Sequence, residues 1–313
     1  MFCSAPFKSV WGVLALARLN RHQKKRSWVQ GLAFLAGNAN LSGFITGRIY
    51  QGPLKHLCLP GLNCYSCPGA LGACPIGSLQ NGLADPFWRI PLYVIGFLML
   101  LGALAGRFVC GWLCPFGWFQ ELLHKIPTRK IRPEKKPKLN RVISRGNIFF
   151  LILFVILIPI IVRLINGYGI TAFCTYICPS GTLMAGWPLI LTNRDLRDLI
   201  GLLFGWKTAV LIAVLVLSIL IYRPFCRYIC PLGAIYGFFN RVSLYRVTVD
   251  TNRCVECGLC TRQCKMSVPV PYDGNTPACI RCGECEAVCP HDAITCGFPK
   301  RVRAATDSEP KSS

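Results

Sequence analysis

Eight cysteines near the end of the chain fall into two runs with the same spacing. Residues 254–264 read Cys-x2-Cys-x2-Cys-x3-Cys, and residues 279–289 repeat that pattern and are followed by Pro290. Three thiolates from one tight loop can bind three corners of a [4Fe–4S] cube, and the fourth cysteine of each run then binds the other cube. The spacing therefore predicts two clusters. The predicted ligands are Cys254, Cys257, Cys260 and Cys289 for cluster 1, and Cys279, Cys282, Cys285 and Cys264 for cluster 2.

A pair of zinc sites is the alternative interpretation of these eight thiols. The tandem spacing and the lack of paired histidines favour iron–sulfur clusters instead. Lys265 stands where the second run has a proline, which affects the local turn more than the ligation. The pattern predicts a small α+β two-cluster ferredoxin domain over residues 241–298 that carries electrons.

A second cysteine motif, Cys-Pro-x-Gly, occurs four times upstream of this domain. The copies begin at Cys74, Cys114, Cys178 and Cys230. In the last three, another cysteine lies four residues earlier, at Cys110, Cys174 and Cys226. Proline is favoured at the first position of a helix, so each motif predicts a cysteine at a helix N-terminus, where the dipole stabilises a thiolate. Four copies indicate an internal duplication.

The composition places these motifs in a membrane protein. The chain has 313 residues, of which 53% are hydrophobic, and its mean hydropathy is +0.44. About 20 apolar residues are needed to cross a bilayer. We predict about four spanning helices, within Val29–Gly47, Ile90–Gly106, Gly146–Val162 and Leu199–Tyr222.

The charged loops orient this bundle. Residues 1–27 carry six Lys or Arg residues and no acid, and the loop after the second predicted span is also strongly basic. Basic loops remain in the cytoplasm, so we expect a multi-pass protein of the cytoplasmic membrane with both termini inside. The formal charge of +22 is thus explained by topology, and we expect no nucleic-acid partner. The predicted domains are a basic segment (1–27), a four-helix membrane domain (28–240), the ferredoxin domain (241–298) and a disordered tail (299–313).

This topology sorts the membrane cysteines into two sets. Cys110, Cys114, Cys226 and Cys230 fall on the cytoplasmic side and are candidate ligands of a further cluster. On the external side we favour Cys67, Cys74, Cys174 and Cys178 by analogy with the repeat, with Cys64 as a substitute. Cys58 and Cys64 would then be free for a disulfide or another ligand role. The alternative is that the membrane cysteines are structural or redox-switch thiols.

The pattern resembles the polyferredoxin-type membrane proteins represented by NapH, MauN and the C-terminal half of NosR. The resemblance runs from Trp28-Val29-Gln30 to the paired cluster loops, and its most specific parts are the Cys-x3-Cys-Pro motifs at 110–115, 174–179 and 226–231. It implies a quinol-linked or ferredoxin-linked electron carrier that works beside other redox subunits. The cysteine-rich loop from Cys58 to Cys74 departs from the simpler members.

We therefore predict a membrane-bound carrier that relays electrons between a cytosolic ferredoxin-like or quinol donor and a membrane or extracytoplasmic redox partner. It would be an electron-transfer subunit of an oxidoreductase system, without catalytic residues of its own. The alternatives are an assembly factor that reduces metal or thiols for another enzyme, and a redox-sensing membrane regulator. Glu121 and His124 are spaced as a pair that could handle quinol protons, although a surface pair is the preferred interpretation.

Overall fold

The computed structural model describes residues 10–87, 90–131, 137–198 and 200–298. Helices dominate this part of the chain. In the first half they are α1 (Val10–Gly37), α2 (Gly43–Thr46), α3 (Pro75–Ala84), α4 (Leu92–Ala105), α5 (Phe108–Trp112), α6 (Pro115–His124), α7 (Pro137–Ser144) and α8 (Gly146–Phe150). Then come α9 (Ile158–Asn166), α10 (Ala172–Tyr176), α11 (Pro179–Gly181), α12 (Trp187–Thr192), α13 (Leu202–Leu220), α14 (Pro224–Tyr228) and α15 (Pro231–Phe239). The last three are α16 (Leu259–Gln263), α17 (Val270–Asp273) and α18 (Glu284–Val288).

Two π-helical stretches and one 3₁₀ turn complete the helical segments. The π-helical stretches are Leu151–Leu157, between α8 and α9, and Thr182–Gly186, between α11 and α12. Pro53–His56 forms the 3₁₀ turn.

The Cys-Pro-x-Gly motifs begin helices, as the sequence predicts. Helices α3, α6, α11 and α15 each start at the proline, and the preceding cysteine has an extended backbone at the N-cap. The short helices α5, α10 and α14 carry the earlier cysteine of the last three motifs, each at its third position. In the first motif the loop 57–73 takes the place of that short helix. The shared local structure reflects the duplication seen in the sequence.

Two helical segments are long and apolar enough to cross a membrane, Val142–Asn166 and Leu202–Leu220. They match the third and fourth predicted spans. Their outward side chains are large and exposed, as at Leu164 and Ile212. The second predicted span is a shorter apolar helix, α4, of 14 residues.

The first predicted span, Val29–Gly47, does not coincide with a single helix. Helix α1 starts at Val10, includes the basic residues of 18–26, and ends at Gly37. It also runs across the boundary predicted between residues 27 and 28. The helix extends further back because one face of its basic segment packs on the ferredoxin domain, so that Leu19 and Arg26 are buried.

The ferredoxin domain is a two-stranded antiparallel sheet with three short helices. Strand β1 (Arg246–Val249) lies within the segment predicted to hold the first strand, and it pairs with β2 (Ile294–Gly297). A small apolar core around Val268, Val270 and Ile280 fills the domain. The predicted tail, 299–313, lies outside the described residues.

Candidate functional site

The eight ferredoxin cysteines line two separate cavities. The first is lined by Cys254, Cys257, Cys260 and Cys289. The second is lined by Cys264, Cys279, Cys282 and Cys285. The fourth cysteine of each run thus lies at the cavity of the other run, in the grouping that the spacing predicts.

The two loops share an unusual backbone that curves them around the cavities. Glu256 and Arg281, at matching places between cysteines, have left-handed φ angles of 51° and 53°. The next matching pair, Gly258 and Gly283, have φ angles of 70° and 78°. Such turns aim successive backbone N–H groups into one concavity, which favours an anion. The N–H of Arg281 already donates to the sulfur of Cys279 at 3.4 Å.

In the helical domain, four cysteines form a buried group that we call the proximal tetrad: Cys110, Cys114, Cys226 and Cys230. Burial, followed by the neighbouring Cys114 and Cys110 thiolates, raises the pKa of Cys226 to about 12. Burial and the other three members also raise the pKa of Cys230 well above its ordinary value. Two motifs separated by more than a hundred residues therefore bring their sulfurs together.

A second group, the distal tetrad, consists of Cys64, Cys74, Cys174 and Cys178. Burial raises the pKa of Cys174, and the thiolates of Cys178, Cys74 and Cys64 raise it further. The pKa of Cys178 rises to about 11 through burial and the nearby Cys64. The sulfur of Cys64 also lies close to Gly181 in the third Cys-Pro-x-Gly motif.

Cys67, which the sequence favoured for this set, points elsewhere. Its thiol donates to the side-chain oxygen of Asn38 at 3.6 Å. The ionisable neighbours that affect its pKa are Cys64 and Lys55, after burial. The structure therefore groups Cys64, the predicted substitute, with Cys74, Cys174 and Cys178.

Two buried arginines that the sequence reasoning missed brace the proximal tetrad. Arg107 donates to the carbonyl oxygen of Cys226 at 2.8 Å, and Arg223 donates to the carbonyl oxygen of Cys110. Arg107 stands three residues before Cys110 but donates to Cys226. Arg223 stands three residues before Cys226 but donates to Cys110. The repeated Arg-x2-Cys-x3-Cys-Pro spacing at 107 and 223 was the available signal.

The proximal tetrad lies directly against the second ferredoxin loop. Gly111 is so close to the carbonyl oxygen of Ile280 that a Cβ at Gly111 would overlap with it. Arg107 donates to the carbonyl of Pro277 at 2.6 Å as well as to Cys226, so it bridges the two domains. Asn240 donates to the carbonyl of Cys279 at 2.8 Å. The second cavity is therefore the ferredoxin site next to the helical domain.

A buried ionic network crosses the same junction. Arg26 donates to the carboxylates of Glu121 at 2.8 Å and Glu284 at 3.2 Å, and Arg223 reaches Glu121 at 2.9 Å. Burial works to raise the pKa of Glu121, but Arg223 and Arg26 outweigh it and hold that pKa below its ordinary value. The prediction that Glu121 and His124 form a surface pair is wrong, because Glu121 is buried among arginines. Nδ1 of His124 lies 3.3 Å from the carbonyl oxygen of Ser218.

Buried aromatic side chains occupy the space between the two tetrads. The rings of Phe116 and Phe225 are 5.2 Å apart, and those of Phe225 and Phe173 are 6.5 Å apart. Phe225 precedes Cys226 and Phe173 precedes Cys174 in the chain. A continuous apolar contact thus joins the tetrads.

The thiol groups of the described residues do not form a compact single-ion site. A tetrahedral zinc ion holds its sulfurs at about 2.3 Å. Among the described residues, no three Cys, His, Asp or Glu side chains converge in that way. The described cysteines also form no disulfide.

Comparison with known families agrees with this architecture. A 4Fe–4S binding domain family matches residues 87–134, 147–192 and 203–247, and a second 4Fe–4S binding domain family matches residues 275–295. Each of the three matches of the first family contains one of the three Cys-x3-Cys-Pro motifs. No solved structure matches the chain.

Individual relatives extend the comparison. An uncharacterised protein of Methanocaldococcus jannaschii is 30% identical over 209 residues, which are 66% of this chain and 79% of that protein. The ferredoxin-type protein NapH of Escherichia coli is 27% identical over 237 residues, 71% of this chain and 73% of NapH. The methylamine utilization ferredoxin-type protein MauN of Methylorubrum extorquens is 27% identical over 240 residues, 70% of each chain.

With paired cluster loops and repeated Cys-x3-Cys-Pro helices, the chain belongs to the polyferredoxin-type family of 4Fe–4S proteins. Its role is iron–sulfur electron transfer, as the resemblance in the sequence implied.

Proposed function

We propose that this chain is a membrane electron carrier with four [4Fe–4S] centres, one in each ferredoxin cavity and one in each tetrad. Single electrons would pass between a soluble ferredoxin-like or quinol donor and a redox partner beyond the distal tetrad. The observation that carries the proposal is the direct contact of Gly111 with Ile280, which joins the second ferredoxin loop to the proximal tetrad.

The chemistry of the thiol groups fits such centres. In each tetrad the sulfurs raise one another's pKa, because several buried thiolates repel one another. The positive charge of bound iron offsets that repulsion and keeps ligating thiols deprotonated. When bound, a [4Fe–4S] cluster supplies reversible one-electron storage.

The arrangement supports a definite order of the centres. The first ferredoxin cavity includes the exposed Cys257, so it suits exchange with a soluble partner. The second cavity is lined in part by Tyr222, which lies four residues before Cys226 of the proximal tetrad. The buried phenylalanines then lead to the distal tetrad.

The exposed apolar helices support a place in a membrane. Val142–Asn166 and Leu202–Leu220 are the segments that would cross it, with the shorter α4 beside them. Basic residues before 142 favour the cytoplasmic side for the ferredoxin domain and the proximal tetrad. The distal tetrad would then face the opposite side. Quinone remains a candidate partner on the strength of the family alone.

Iron analysis of anaerobically purified protein in detergent tests this proposal. Four loaded centres predict about sixteen irons per chain, and loading of the ferredoxin pair alone predicts about eight. A double variant, Cys110→Ser with Cys226→Ser, should lose about four irons. Eight irons in the wild-type protein, or an unchanged content in the double variant, would refute clusters in the tetrads.

A further inference from the structure

One glutamine beside each tetrad makes the same pair of contacts. Gln80 lies six residues after Cys74, and Gln120 lies six residues after Cys114, each on the helix that its Cys-Pro motif begins. Both side chains are 0% exposed. The two residues are equivalent positions of the internal repeat.

Each glutamine donates to the sulfur of a cysteine in a distant motif. Nε2 of Gln80 is 3.3 Å from Sγ of Cys174, and Nε2 of Gln120 is 3.2 Å from Sγ of Cys226. The recipients are the first cysteines of two Cys-x3-Cys-Pro motifs. The contacts therefore join motif one to motif three and motif two to motif four.

The other end of each amide fixes its orientation. Oε1 of Gln80 accepts the backbone N–H of Phe173 at 2.9 Å, and Oε1 of Gln120 accepts that of Phe225 at 3.2 Å. A backbone N–H can only donate, so it must face the oxygen. The Nε2 group of each glutamine is thereby turned toward the sulfur.

The remaining two motifs carry no such donor. The equivalent positions, six residues after Cys178 and Cys230, are Met184 and Tyr236. The hydroxyl of Tyr236 donates to the carbonyl of Pro60 rather than to a sulfur. Each tetrad thus has a single glutamine N–H directed at one of its ligands.

We propose that Gln80 and Gln120 are matched positioning residues that raise the reduction potentials of the distal and proximal centres. This inference rests on the proposed function, since it assumes clusters in both tetrads. A hydrogen bond to a ligating sulfur stabilises the extra negative charge of the reduced centre, and such bonds are among the terms that set cluster potentials. Each reduction transfers one electron from the donor to the cluster, with no proton or group transfer.

The test is a redox titration of purified protein followed by EPR. In Gln120→Leu we expect a lower midpoint potential for the proximal centre alone, and in Gln80→Leu a lower midpoint potential for the distal centre alone. The ferredoxin signals should not move. Gln120→Glu keeps an acceptor for the Phe225 N–H and places negative charge beside the sulfur, so its shift should also be downward and larger.

Gln30→Leu is the matched control. Gln30 is also fully buried, but its Nε2 donates to the carbonyl of Gly111 at 2.8 Å and not to a sulfur. We expect no change of potential in that variant. Unchanged midpoints in the Gln80 and Gln120 variants, with iron retained, would overturn the inference while leaving the proposed function intact.

Two other outcomes are also decisive. If both Gln120 variants lose the iron of the proximal tetrad, the glutamine acts only in assembly and the tuning role is refuted. If the wild-type protein shows ferredoxin signals alone, the proposed clusters of the tetrads are refuted, and the inference falls with them.

Discussion

Cys64 and Cys67 stand three residues apart in one loop, yet they face different surroundings. Cys64 lies with Cys74, Cys174 and Cys178, whereas Cys67 donates to Asn38. A thiol contributes to a cluster only if its sulfur reaches the shared centre, so adjacency in sequence does not decide ligation. The two thiols are neighbours, but only Cys64 interacts with Cys174 and Cys178.

This difference predicts opposite results for two matched variants. Cys64→Ser should lower the iron content of the purified protein by about four atoms per chain, because it removes a ligand of the distal centre. Cys67→Ser should keep the full iron content, since only a hydrogen bond to Asn38 is lost. Iron loss in the Cys67 variant alone would instead restore the ligand set that the sequence favoured.

At the scale of elements, the short helix α5 is one of the places where the two domains meet. Gly111 brings its backbone against Ile280, and the same helix begins just after Arg107, which bridges Pro277 and Cys226. Only a residue without a side chain permits such an approach. The helix therefore carries Cys110 of the proximal tetrad and also contacts the second ferredoxin loop.

Gly111→Ala should disturb this junction. The added Cβ would overlap with the carbonyl of Ile280, and overpacking of this kind costs about 1–3 kcal/mol. We expect a lower thermal stability. We also expect slower electron transfer from the second ferredoxin centre to the proximal centre, as measured by rapid freezing and EPR.

Gly96→Ala is the control, because nothing lies within 4 Å of a Cβ built at Gly96. It should leave both the stability and the transfer rate near the wild-type values. An equal effect of the two alanines would show that the contact with Ile280 does not link the centres.

Across the whole molecule, buried contacts join the ferredoxin domain to the helical domain. The ferredoxin domain is held to the helical domain by α1, whose Arg26 joins Glu121 and Glu284 in a buried network. Such a network is costly to separate, because each partner left alone would be a buried unpaired charge. The two domains should therefore act as one body.

A sidedness experiment tests the proposed crossing of the membrane by the two long apolar segments. An epitope inserted in the exposed stretch 194–198, between the two spanning segments, should be accessible on the external side of sealed vesicles. An epitope fused at the C-terminus should be accessible only from the cytoplasmic side. Access to both epitopes from one side would contradict the proposed crossing of Val142–Asn166 and Leu202–Leu220.

Local patterns in the sequence determined the chemistry of this protein. The cysteine spacing predicted the grouping of the ferredoxin thiols, and the Cys-Pro motifs predicted four helix starts, because ligand loops and proline-led helices depend on near neighbours. Two predicted spans also matched long apolar helices. The predicted span Val29–Gly47 overlaps only the end of α1, whose basic residues contact a domain more than two hundred residues away.

Only the tertiary structure decided which distant groups meet. Cys64 meets Cys174 and Cys178, about a hundred positions away. Arg107 and Arg223 each donate to a cysteine carbonyl of the other motif, over a similar separation. The same holds for the hydrogen bonds of Gln80 and Gln120 to cysteine sulfurs. Spacing along the chain fixes geometry within a turn or a loop, where few torsion angles intervene. Between remote motifs, the packing of whole helices sets the distance, so these contacts appear only when the chain is folded.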